Sequence, residues 1–142
     1  MDKEKQIEIK TNSILNNYIK ELSEDVKLNN YNLREKSLLC SSIWAKWISY
    51  LFLEKENLQR IIDAKQKILK NKTSSLKAQD SILKMKSEEK FLENDENIKK
   101  LNVLFKNTQD CIDYIERALN ILNSFGFNIK NAIEALKLQM SH

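Results

Sequence analysis

The chain has 142 residues and a net charge of +4, with one Gly, no Pro, two Cys and a single His. Turn-rich β architectures need Gly and Pro, so their near absence predicts an all-α protein. The single His, at the chain end, and two separated Cys exclude a zinc site of usual spacing, and no glycine-rich loop precedes a helix to cradle phosphate.

Residues 2–22 carry Ile14, Leu15, Tyr18, Ile19 and Leu22 at helical spacing. The charged N-terminus leads into no apolar signal core, and no apolar run approaches the roughly 20 residues of a membrane span. A soluble, cytoplasmic protein is expected. Ser23 to Asn30 reads as a polar connector, and Asn29 or Asn30 can cap the next helix.

That helix is predicted from Tyr31 to about Thr73. Its front half is apolar and aromatic, through Leu38, Leu39, Ile43, Trp44, Trp47, Ile48, Leu51 and Phe52. The Trp44/Trp47 pair reads as core rather than as a stacking platform. The back end is basic. From Lys65 to Ser87 there are seven lysines and one acid, Asp80. Lysines with so few acids cannot neutralise one another through i,i+4 ion pairs, so the run points to a phosphate-rich or acidic partner. No aromatic residue lies between Phe52 and Phe91, so contact within this arm would be phosphate-led and salt-sensitive. Residues 76–94 read as a weak helix or an arm.

Asn94 or Asp95 begins the most regular helix. Ile98, Leu101, Phe105, Thr108, Ile112, Ile115, Leu119 and Leu122 follow a 3-4 spacing, and Leu104, Cys111, Ala118 and Phe125 add a flanking stripe. An apolar face that wide contacts more than one neighbour. Gly126 reads as a left-handed helix stop, with Phe127 as its hydrophobic contact and Asn128 capping a last helix over 129–139. Residues 94–142 are thus expected to form a helical hairpin that drives oligomerisation, and residues 1–93 a helical region with the basic arm. Leu119, Leu122, Phe127, Ile129, Ile133 and Leu136 are the candidate oligomer interface. Both Cys read as reduced and buried. Acid pairs such as Glu88/Glu89 read as solvated surface, and no nucleophile–base pair is visible, so an enzyme is not expected.

Several stretches resemble the UvsY family of phage recombination mediators. Leu22-x-x-Asp25-Val26, Leu33 and Trp44-Ala-Lys46-Trp47-Ile48 are similar to that family's LxxDV…L…YSKWL stretch. Arg60-Ile61 and Lys65 match, and Leu69-Lys70-Asn71-Lys72 falls on its LKAR motif. Ala118-Leu119 and Gly126-Phe127-Asn128-Ile129-Lys130 resemble its AL…GFAIK. Lys72 stands in place of Arg, keeping the charge and losing the bidentate fork. Thr73-Ser-Ser-Leu-Lys77 replaces an aromatic, glycine-rich loop.

The resemblance implies a non-enzymatic protein without a cofactor that binds single-stranded DNA. It implies a closed homo-oligomeric ring, a hexamer or heptamer, acting in the bacterial host cell. It also implies loading of a UvsX-type recombinase onto DNA coated by the phage single-strand-binding protein. Lys70 and Lys72 would take the DNA-contacting positions, within a candidate set of Lys65, Lys67, Lys70, Lys72 and Lys77. The alternative is a structural or adaptor oligomer whose lysines only solubilise it.

Overall fold

The structure, a computed structural model, describes residues 2–29, 32–75 and 95–141, with side chains for 13–29, 32–71 and 95–141. Three helices account for nearly all of these residues, and no strand occurs among them. They are α1 (Asp2–Asp25), α2 (Leu33–Ser75) and α3 (Glu96–Met140). The all-α expectation holds. Tyr31, the expected arm at 76–94 and His142 lie outside the described residues.

The uninterrupted run without Gly or Pro lets α2 extend for 43 residues, roughly 65 Å at 1.5 Å per residue. Its start is held by a reciprocal pair. The Asn29 N–H donates to Asn32 Oδ1 at 2.8 Å, and the Asn32 N–H donates to Asn29 Oδ1 at 2.9 Å. Asn32 also supplies the first helical carbonyl, to the Lys36 N–H at 2.9 Å. The capping position is therefore Asn32, with Asn29 bracing it, rather than Asn29 or Asn30. At the other end of the chain Asp95 caps α3, its Oδ1 accepting from the Asn97 and Ile98 N–H groups at 2.8 and 3.1 Å.

The expected C-terminal hairpin does not form. Residues 96–140 are one helix of 45 residues that runs straight through Gly126, which has no positive φ. A mid-helix glycine costs only about 1 kcal/mol relative to alanine. Phe125 and Ile129, on either side and one turn apart, are both buried, and that packing outweighs the local preference. Phe127, expected to close the turn, is 71% exposed and contributes nothing to stopping the helix. Asn128 caps nothing. The glycine instead opens space against α2: a Cβ there would lie 3.5 Å from Cys40 Sγ.

Consecutive helices run antiparallel. Between α1 and α2 the register is read from Asp25–Trp47, Glu21–Tyr50 and Tyr18–Glu54. Between α2 and α3 it is read from the approach of Gly126 to Cys40 and of Glu54 to Cys111. One core draws on all three helices: Leu22 from α1; Leu33, Ile43 and Trp47 from α2; Ile115, Ala118, Leu122, Phe125 and Ile129 from α3. The wide apolar face of α3 meets both neighbours, as its sequence required. The tryptophans divide, however. Trp47 is completely buried, whereas Trp44 is 42% exposed and lies at the edge of the core.

Candidate nucleic-acid interface

The basic end of α2 departs from the acid-rich end of the same helix pair. Near the connector, the carboxylates of α1 are engaged. Asp25 Oδ2 accepts from Trp47 Nε1 at 2.8 Å and from Lys46 Nζ at 2.7 Å. Lys46 Nζ also lies 3.6 Å from Glu21 Oε1, which accepts from Tyr50 Oη at 2.9 Å. One step further, Tyr18 Oη donates to the buried Glu54 at 2.9 Å. The rings of Tyr18, Trp47 and Tyr50 pack mutually at 5.2–5.9 Å between centroids. Burial and Glu21 push the Tyr50 hydroxyl up to about 12, and burial beside Glu54 pushes the Cys111 thiol up to about 11. This half of the bundle is structural.

Beyond Arg60 the character changes. Lys67 and Lys70 are both exposed and stand one turn apart on the outward face of α2. With Asp63, Gln66 and Leu69 they line a shallow groove. Asp63 accepts from Gln59 Nε2 at 2.9 Å, within its own helix. Lys65 differs from expectation: it is half-buried, because it falls on the row of Leu51 and Leu58, which turns toward the bundle. Lys72 belongs to the last turn of α2, but its side chain lies outside the described residues, and so does Lys77 altogether. A cation in the last turn, as Lys72 is by position, complements the helix dipole.

The candidate oligomer residues separate as well. Leu122 and Ile129 are buried in the chain's own core, and Leu119 and Ile133 pack against it half-buried. Only Phe127 and Leu136 present their side chains to solvent, 71% and 41% exposed. Leu138 and Met140, outside that candidate set, extend the exposed apolar end of α3. Both cysteines are free thiols; Cys111 is buried and Cys40 borders a groove with Ser37, Gly126 and Ile133. Among the described residues no cluster of His, Cys, Asp and Glu could hold a metal ion, and no helix is long and apolar enough to cross a membrane.

Comparison with known proteins gives a consistent result. The family model described as recombination, repair and ssDNA binding protein UvsY matches residues 21–141. Two crystal structures of the bacteriophage T4 recombination mediator protein UvsY share the fold. The lattice type IV structure has a TM-score of 0.73 at 20% identity, covering 88% of this chain and 98% of that one. The lattice type II structure has a TM-score of 0.69 at 19% identity, covering 89% and 97%. No curated protein matches the chain.

Proposed function

The chain belongs to the UvsY family of recombination, repair and single-stranded-DNA-binding proteins, and from that membership we propose that it is a recombination mediator that binds single-stranded DNA through the basic end of α2. The observation that carries this reading is the pair Lys67 and Lys70, exposed side by side toward the C-terminal end of the 43-residue α2. Lys72 and Lys77 continue the run in sequence. Lysine ammonium groups recognise phosphate as point charges, so binding is sequence-tolerant and weakens with salt.

The exposed apolar end of α3, with Phe127 and Leu136, supports self-assembly into a ring. A ring repeats the lysine cluster in every subunit, so individually weak phosphate contacts combine through effective concentration. The assembled protein holds a strand, loosens a single-strand-binding protein from it, and presents it to a UvsX-type recombinase. It carries out no bond-making step itself. The test is a recombinase-loading assay on single-stranded DNA coated with its phage single-strand-binding protein. The chain should restore DNA-dependent ATP hydrolysis by the recombinase at salt concentrations where the coat blocks it. A structural or adaptor oligomer whose lysines only solubilise it would leave the block in place.

A further inference from the structure

The lysine run of α2 has a counterpart on α3. Residues 97–109 contain no Asp or Glu and carry Lys99, Lys100 and Lys106. It is bracketed by Glu96 and Asp110, so its charge is confined to the first three turns after the cap. The antiparallel register fixed at Cys40–Gly126 and Glu54–Cys111 continues toward this end and sets Lys65 level with Leu101. Two acid-poor basic stretches, far apart in sequence, thus lie at the same end of the bundle.

The α3 stretch also carries a partly open aromatic ring. Phe105 falls on the seven-residue row of Ile98, Ile112, Leu119 and Gly126, and Gly126 in that row faces α2. Ile98 and Ile112 are buried, but Phe105 keeps 37% of its surface open. Asn102, one turn before Phe105, is exposed beside it, and Lys99 and Lys106 are exposed on the same side, about 100° round the helix from the ring. From α2, the half-buried Lys65 lies level with Leu101, on the side of α2 that turns toward the bundle. Half-exposed aromatic edges beside unpaired lysines form the surface that single strands use, with the base on the ring and the phosphates on the cations.

We propose that Phe105 is a base-stacking position, and Lys99 and Lys106 phosphate contacts, of a single-strand subsite on α3 that extends the α2 lysine site across the groove. It rests on the reading that the chain binds single-stranded DNA. Stacking adds a preference for strands with unpaired bases over duplex, which lysines alone do not supply. Asn102 and Gln109 border the ring without adding negative charge.

The experiment measures binding of labelled oligo(dT), and of the same strand with abasic sites, across a salt series. Lys99→Ala/Lys106→Ala should reduce the steepness of log K against log salt by about 1.4, two contacts at roughly 0.7 each. Phe105→Leu, which keeps the packed part of the side chain, should weaken oligo(dT) binding at least about fivefold and leave the salt slope unchanged. That loss should disappear on the abasic strand. If the Phe105→Leu loss is equal on both strands, the ring has a structural role and the stacking position is wrong. If wild type binds and all three residues are indifferent, the subsite is wrong while the α2 site stands. If wild type binds neither strand, the functional reading fails before this one.

Discussion

Trp47 Nε1 donates to Asp25 Oδ2 at 2.8 Å, and the same oxygen receives Lys46 Nζ at 2.7 Å. One carboxylate at the end of α1 therefore satisfies the most deeply buried indole of α2 and neutralises the lysine beside it. Asp25→Ala leaves a completely buried N–H without its acceptor and a half-buried ammonium without its nearest carboxylate. The expected cost is about 2–4 kcal/mol, measured by urea unfolding. A cost under about 0.5 kcal/mol would show that water replaces the carboxylate easily.

Gly126→Ala should stabilise the protein. The backbone there is ordinary helix, and the new methyl would sit in normal contact with Cys40 Sγ at 3.5 Å. Alanine removes glycine's unfolded-state entropy, a gain of roughly 0.5–1 kcal/mol. A thermal melt checks the sign. A lower melting temperature would mean that the close approach of α2 and α3 tolerates no side chain.

How much of this was legible in the sequence depended on the range of the force involved. The long α2 and the wide face of α3 follow from periodicity, which reports burial directly. Gly126 was misleading because a local penalty of about 1 kcal/mol says nothing about the packing of Phe125 and Ile129 around it. Trp44 and Trp47 have like chemistry and adjacent positions, yet only the placement of α1 decides which one is covered. The lysines of α2 stood out as a run. Lys99 did not, and Phe105 read only as part of the apolar face of α3, since only the antiparallel register brings that part of α3 to the same end of the bundle.

The two thiols should differ in reactivity. Cys111 is buried, and its thiol is held up at about 11 by burial and by Glu54, so almost no thiolate exists at neutral pH. Cys40 borders an open groove. A disulfide-exchange reagent at pH 8 should modify Cys40 first and Cys111 only at the rate of unfolding. Equal rates in the native protein would contradict this burial.

Alkaline pH should unfold the chain. The Cys111 thiol rises from 9.0 to about 11 and the Tyr50 hydroxyl from 10.0 to about 12, and Tyr18 is raised by burial and its bond to Glu54. Each group ionises earlier in the unfolded chain than in the folded one. Their stabilisation is therefore complete below pH 9 and is lost as pH climbs through 11 to 12. Each adds a slope of up to about 1.4 kcal/mol per pH unit in that window. Denaturant midpoints from pH 8 to 11 check it, and a flat profile would contradict the buried hydroxyl and thiol.

Assembly should depend on the solvent-facing end of α3. Phe127→Glu with Leu136→Glu changes two exposed side chains and leaves the core residues Leu122 and Ile129 untouched. Sedimentation should show a smaller species with unchanged helicity. An unchanged mass would place the contact between subunits elsewhere.

The most direct test of the central claim is the salt dependence of oligonucleotide binding by Lys67→Ala/Lys70→Ala, compared with wild type at equal assembly mass. Both side chains are exposed and outside the core, so the fold should be unaffected. If α2 carries the strand, the double variant binds more weakly, and its slope of log K against log salt is flatter by about 1.4 for each subunit engaged. Wild-type affinity with a wild-type slope would leave these lysines as solvated surface and move the strand off α2.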